Sequence, residues 1–249
     1  GRIEWTDLVR GPSHIETSSV SDPILIRADG SYLYTLPSVV DDIEARVTHI
    51  IRGEDHVTNS AAQIEIFEAI GGKGAAPQMG HFPLLVGPDG EKLSKRLGSL
   101  AIADLRTVEG FEPMAVLSLL AKIGTSDPVE ARARLEQLAD EFELSKISRT
   151  PAKFDHAELE RLNARLLHDL DYSHVKDRLE AMDADGGPAF WSAVRPNLSR
   201  LKDVAEWRRL VDGPVDPVIE DAGYAATAAA LLPGDPLGPQ SWSQWTDAI

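Results

Sequence analysis

The sequence predicts an α/β region over roughly residues 1–104, followed by an all-helical region. Three observations carry this. First, two short runs, Val47 to Ile51 and Phe82 to Val86, have strand composition and flank a helical pattern from Ser60 to Ile70. Strand, helix, strand with a charged crossover is the grammar of a βαβ unit. Second, from about residue 104 the apolar spacing turns helical and stays so. Third, the Phe82–Val86 run ends in the turn Gly87-Pro88-Asp89-Gly90 and then in Lys92, Ser94, Lys95 and Arg96. A strand that feeds a loop of phosphate-seeking side chains is the usual anatomy of a nucleotide site in an open α/β sheet.

In chain order, residues 1–20 read as a strand and a polar loop. Ile24-Leu25-Ile26, the turn Ala28-Asp29-Gly30 and Tyr32 to Leu36 predict a hairpin, because Asp-Gly favours the tight turns that match strand twist. Val47–Ile51 is rich in β-branched residues. Ser60-Ala61-Ala62-Gln63 fits a capping box, with Ser60 at the N-cap; Ile64, Phe67, Ala69 and Ile70 give that helix its apolar face, and Gly71-Gly72 stops it. In the helical region Pro113 suits a first turn, with Met114, Leu117 and Leu120 on one face and Gly124 as a stop. Leu135, Leu138, Phe142 and Leu144 continue the pattern. Asp155 and Glu158 fit a second capping box before the stripe Leu159, Leu162, Leu166 and Leu170. Val175, Leu179 and Met182 predict another helix, and residues 190–232 read as helical with an interruption at Gly213-Pro214.

Composition sets bounds. The 249 residues are 43% hydrophobic and 26% charged, the balance of a soluble globular protein with a core of real size. No run approaches the ~20 apolar residues of a membrane span. The absence of cysteine excludes disulfides, thiolate nucleophiles and Cys-based zinc sites. Seven histidines are scattered without metal-ligand spacing. A net charge of −15 argues, taken alone, against a nucleic-acid partner, although an acidic enzyme can still present one basic stripe to RNA. The start inside a strand without Met and the end in an uncapped amphipathic segment lead us to expect a piece of a longer protein.

For phosphate chemistry, Gly71-Gly72-Lys73-Gly74 lacks P-loop spacing and reads as a helix stop. The lysine-rich loop is the strong candidate, with a solvated basic turn as its alternative. Arg52 sits at a strand end, where its fork can meet a carboxylate with two hydrogen bonds. The alternative is a structural ion pair with Glu54, Asp55 or the Asp41-Asp42 pair. As strand neighbours Asp41 and Asp42 would face opposite ways, so they read as structural rather than metal-binding. His56 reads as structural.

The string KLSKR resembles the second signature, usually written KMSKS, of class I aminoacyl-tRNA synthetases. The longer pattern from His81 through Pro83-Leu84-Leu85 and Asp89-Gly90 to Lys92–Arg96, with Val39 to Gln63 upstream in the same order, is similar to the glutamyl-tRNA synthetases, from about Ile3 to Leu170. The resemblance implies the second half of the class I Rossmann-like catalytic domain at 1–104, a helical stem-contact region at 105–150 and a helical anticodon-binding domain at 151–249, incomplete at its end. Helical continuation fits the bacterial glutamyl type better than the glutaminyl type, whose anticodon domains are β-barrels.

The resemblance also implies roles. In the reaction glutamate is activated by ATP to glutamyl-adenylate and then joined to tRNA. Lys95 and Lys92 would be the catalytic cations, stabilising charge on the leaving pyrophosphate. Lys92, Ser94, Lys95, Arg96 and Leu85 would contact ATP; on the residues alone, Leu85 reads equally as a strand core residue. Tyr34, Arg52 and Asp55 would bind glutamate, although Tyr34-Thr35-Leu36-Pro37-Ser38 departs from the Tyr-Asn-Phe-Ala-like run common in the family. Lys153, Arg161 and Arg165 would contact tRNA, with Glu158 and Glu160 diluting that patch and a solvated face as the alternative. No metal site of the protein's own is expected; Mg²⁺ would arrive with ATP. The partners implied are tRNA(Glu), with tRNA(Gln) as a second candidate, and the enzyme implied is monomeric and cytoplasmic. The first signature, usually HIGH, is absent from these residues, so the chain alone is expected to be inactive. Two rival readings are a glutamyl-queuosine-type paralogue and a non-catalytic RNA- or protein-binding module.

Overall fold

A computed structural model describes residues 1–91, 101–214, 221–232, 238 and 240–248. The chain divides into two compact units, Gly1–Val204 and Ala205–Ile249.

The first unit opens with an antiparallel hairpin, β1 (Arg2–Asp7) and β2 (Gly11–Glu16), where a strand and a polar loop were expected. Alternation along β1 buries Ile3 and Asp7, and Gly11 takes the positive φ (74°) that the tight connection requires. The expected second hairpin shrinks to one bridge, Ile26 to Tyr32, around the Asp29-Gly30 turn. The chain then enters α1 (Thr35–Glu44) instead of a strand. Pro37 lies in its first turn, where the backbone N–H groups have no intrahelical acceptor, so its missing donor costs nothing. Asp41 and Asp42 are therefore helical neighbours, not strand neighbours.

The βαβ unit is present. β3 (His49–Gly53) pairs in parallel with β4 (Gln78–Phe82), and α2 (Val57–Gly71) is the crossover. Ile3, Val39, Ala61, Ile64, Phe67 and Met79 form its core. The hairpin comes close to β4: Leu8 N–H donates to Met79 O at 2.8 Å, and a Cβ on Gly80 would stand 2.7 Å from Ile51 and 3.5 Å from Leu8. The start of α2 differs from expectation. A 3-10 turn over Glu54–His56 leads directly into the helix, so Ser60 is interior and buried rather than the N-cap. Glu54 and Asp55 place negative charge at that positive helix end.

The Phe82–Val86 run is two strands, not one. Pro83 lacks a ladder donor, and the chain leaves β4 there; β5 (Leu85–Val86) then pairs in parallel with β6 (Ala152–Lys153). The turn after it is as read: Gly90 N–H donates to Gly87 O at 2.9 Å, with Gly90 at φ 84°.

The helical part of this unit holds α3 (Ile102–Thr107), α4 (Pro113–Lys122), α5 (Leu135–Glu141), α6 (His156–Asp169), α7 (Tyr172–Ala181) and α8 (Gly187–Val194). Pro113 does open α4, but the buried face is Ala115, Val116 and Leu119; Leu117 is exposed. The run Met114–Ala121 is apolar nearly all round, so periodicity could not choose the face; packing against α6 did. Phe142 follows α5 and is exposed, and Met182 lies beyond α7. Asp155 caps α6, accepting from Ala157 N–H at 2.9 Å, above the buried stripe Leu159, Leu162 and Leu166.

In the second unit lie most of α9 (Val204–Asp212), α10 (Ala222–Ala230) and α11 (Ser241–Ala248). Trp245 Nε1–H donates to Ala228 O at 2.6 Å and ties α11 to α10. Among the described residues no helix is long and apolar enough to cross a membrane.

Candidate active site

Arg52 lies in β3, one residue before the strand ends, and its guanidinium turns toward α2. Nη2 donates to Ser60 Oγ and to Gln63 Oε1, each at 2.5 Å. Ser60 and Gln63 are one turn apart on α2, so they present side by side. Gln63 Nε2 in turn donates to Ser38 Oγ of α1 at 2.8 Å. Nη1 reaches only the exposed Tyr34 hydroxyl, at 3.5 Å, and Nε is buried with no hydrogen-bond partner among the described residues. No carboxylate among the described residues forms an ion pair with Arg52. Both hydrogens of Nη2 are thus engaged by neutral groups, and Nη1 is the donor with capacity left for a ligand.

The surface beside Nη1 is an open cleft of about 480 Å³, lined by Tyr34, Ser38, Asp41, Asp42, His49 and Arg52 among others. The lining combines a cation and a phenol with two carboxylates. Burial pushes the Asp42 carboxyl up, the Arg52 charge pulls against it, and Asp41 adds a further push. A ligand with both an anionic and a cationic group finds a counterpart for each here. Asp55 is exposed on the 3-10 turn. The His56 and Tyr34 rings approach at 6.3 Å.

Behind Arg52 the polar chain continues inward. Ser60 Oγ is 2.7 Å from His81 Nε2, and His81 Nδ1 bonds Asp7 Oδ2. Asp7 Oδ1 accepts from the backbone N–H groups of Val9, Arg10 and His81. Burial raises the Asp7 carboxyl, but the His81 bond and these backbone donors outweigh it and hold it below its ordinary range. A second tie runs from Arg10 to Glu54 at 2.6 Å, so the β1–β2 turn also holds the residue that follows the C-terminal end of β3.

Sequence reasoning identified Arg52 and Tyr34, which the structure brings together, but missed Ser60, Gln63, Ser38, His81 and Asp7. The sequence pattern places Ser60 and Gln63 in a cap. A polar pair one turn apart inside an otherwise apolar helix face was the signal available.

Leu85 is 36% exposed and lines an apolar cleft with Phe82, Pro83, Leu120, Phe142 and Ile147. Leu84 O accepts from Ala152 N–H of β6 and Val86 O from Phe154 N–H just beyond it, so the alternation of a strand turns the N–H and C=O of Leu85 to the opposite edge. Lys92, Ser94, Lys95 and Arg96 lie outside the described residues. Lys153 on β6 and Arg161 and Arg165 on α6 are exposed, and Arg161 is paired with Glu158. Among the described residues no group of three or more His, Asp or Glu side chains is placed to hold a metal ion.

A family model for the catalytic domain of class I tRNA synthetases (E and Q) matches residues 1–161. The chain belongs to this family. It has curated relatives of high identity. It is 62% identical over 247 residues to glutamate--tRNA ligase 1 of Maricaulis maris (strain MCS10), a match covering 99% of this chain and 55% of that protein. It is 57% identical over 251 residues to glutamate--tRNA ligase 2 of Hyphomonas neptunium (strain ATCC 15444), covering 100% and 56%. The chain thus spans about half the length of the curated relatives it matches. The fold is shared with the crystal structure of a glutamate tRNA ligase from Elizabethkingia meningosepticum CCUG26117 in complex with its amino acid, at TM-score 0.79 and 20% identity, over 100% of this chain and 56% of that one.

Proposed function

We propose that this chain supplies the glutamate-binding wall and the second signature loop of a glutamate--tRNA ligase. The observation that carries this is the Arg52 arrangement: a guanidinium fixed through Nη2 by neutral partners, with Nη1 beside Tyr34 at a cleft. A fixed, unpaired cation suits the side-chain carboxylate of glutamate, because a charge-assisted bond forms there without first breaking an internal ion pair. Asp42, which lines the same cleft, suits the ammonium.

In the activation step an oxygen of the substrate α-carboxylate attacks the α-phosphorus of ATP. The bond to the bridging oxygen breaks and pyrophosphate leaves, giving glutamyl-adenylate. Lys95, supported by Lys92, Ser94 and Arg96, offsets the charge that builds on the leaving group. The outward backbone groups of Leu85 fit an adenine edge. Mg²⁺ comes with the ATP phosphates and would add charge neutralisation there. A tRNA ribose hydroxyl then takes the glutamyl group and AMP leaves.

On this reading 1–104 is the second half of the catalytic fold, 105–150 the stem-contact region and 151–249 the start of a helical anticodon-binding domain. Lys153, Arg161 and Arg165 face tRNA(Glu); tRNA(Gln) is a second candidate substrate. The enzyme is read as a cytoplasmic monomer. The test is aminoacylation by the full-length protein with ATP, glutamate and each tRNA separately, beside its Arg52→Ala variant. Charging of tRNA(Glu), with a glutamate KM raised at least tenfold in the variant and an ATP KM near the parent's, is expected. An unchanged glutamate KM would remove Arg52 from the site.

A further inference from the structure

We infer that Asp7, His81 and Ser60 form a buried positioning relay that sets the orientation of Arg52, and so govern glutamate binding without touching the ligand; the inference rests on the glutamate reading of Arg52. Asp7, His81 and Ser60 come from β1, β4 and α2, and the side chains of Asp7 and His81 are 0% exposed, as is Ser60. The same three residue types in this order could suggest a hydrolytic triad. Full burial excludes that, because no substrate atom can reach Ser60 Oγ.

The two end links of the chain have a direction fixed by chemistry. An ionised Asp7 only accepts, so His81 donates from Nδ1. Ser60 Oγ lies 2.7 Å from His81 Nε2 and donates to the backbone O of His56 at 3.2 Å, and it offers lone pairs outward. At the other end Arg52 only donates, and Nη2 meets those lone pairs at 2.5 Å. A donor-only guanidinium and an acceptor-only carboxylate are thus joined through one buried hydroxyl and one buried imidazole. The Asp7 carboxylate is held by His81 and does not pair with Arg52. Direct pairing would compete with a ligand carboxylate for the guanidinium, whereas the relay leaves Nη1 open. Asp7 is itself held by three backbone N–H groups, so the reference point of the relay is backbone rather than a mobile side chain.

The test uses the full-length enzyme and reads glutamate KM, ATP KM and Tm for Ser60→Ala, Ser60→Thr, His81→Asn and Arg52→Ala, with the Ser60→Ala/Arg52→Ala double variant. Ser60→Ala is the primary arm, since it removes one oxygen and keeps the helix. Its glutamate KM is expected to rise about tenfold, the order for losing one hydrogen bond to a charged group, with ATP KM within about twofold of the parent. Ser60→Thr keeps the hydroxyl and should restore most of the loss. His81→Asn keeps a donor for Asp7 but cannot reach Ser60, and should resemble Ser60→Ala. In the Arg52→Ala background Ser60→Ala should add nothing further, because it acts only through Arg52. If Arg52→Ala raises the glutamate KM while Ser60→Ala and His81→Asn do not, the relay is overturned and the glutamate reading stands. Equal rises in both KM values, or an undiminished Ser60→Ala effect without Arg52, overturn it likewise. If Arg52→Ala itself leaves the glutamate KM unchanged, the glutamate reading falls and takes the relay with it.

Discussion

Gln63 Oε1 accepts from Arg52 Nη2 at 2.5 Å, while the other end of the same amide donates to Ser38 Oγ at 2.8 Å. The two bonds fix the amide orientation and join β3, α2 and α1 at one buried side chain, 1% exposed. Gln63→Glu is therefore expected to raise the glutamate KM about tenfold, equivalent to ~1.4 kcal/mol. The new carboxylate would pair with the guanidinium and compete with the ligand's own. Steady-state kinetics with glutamate and ATP varied in turn check this; a parental glutamate KM would mean that Arg52 is not the carboxylate anchor.

Lys95→Ala in the full-length enzyme should slow adenylate formation about 10²–10³-fold, the range for removing one transition-state charge stabiliser. Glutamate KM should barely move. Lys95→Arg should recover part of the rate, since a planar fork replaces a compact ammonium. Pre-steady-state adenylate formation in the presence of tRNA is the measurement, and a parental rate for Lys95→Ala would reduce the loop to a basic turn.

Lys122 is 5% exposed and pairs with Glu141 at 2.6 Å and Asp127 at 3.0 Å. The Lys122 bond, joined by Arg132, holds the Glu141 carboxyl below its usual range, and Lys122 with Lys146 does the same for Asp127. Carboxyls with lowered folded pKa stabilise above their unfolded values, about 4, and lose that contribution as pH falls through the folded values. The Lys122 ammonium is raised, chiefly by Glu141, so its share is present below about 10.4 and is lost above its folded value. Lys122→Met should lower Tm at pH 7, and the gap from the parent should narrow in acid below pH 4. Thermal unfolding across pH 3–8 tests it; a gap that stays constant would place the effect in packing rather than charge.

Arg178 makes two bonds to the Glu112 carboxylate, at 2.9 and 2.5 Å, and Glu112 N–H donates to Asn163 Oδ1 at 2.7 Å. One acidic residue thereby joins α4, α6 and α7. Arg178→Ala strands that buried carboxylate and should cost about 2 kcal/mol, less than for a fully buried pair because Arg178 is itself half exposed. Urea unfolding monitored by circular dichroism reads this directly. A loss under 0.5 kcal/mol would show that water replaces the guanidinium.

Local chemistry in the sequence determined the βαβ order, the Gly87–Gly90 turn, the start of α4 at Pro113, the Asp155 cap and the position of Arg52 at a strand end. Each of these is decided within a few residues by periodicity, turn preference or capping. Tertiary structure decided where Ser60 and Gln63 point, because the 3-10 turn at Glu54–His56 starts the helix one turn earlier and rotates both inward. It also decided that Thr35–Glu44 is a helix that buries Val39, and which face of α4 is buried. The pairing of Asp7 with His81, 74 residues apart, has no periodic trace in the sequence. It exists because the hairpin folds over β4, and only that packing places a buried carboxylate behind the arginine.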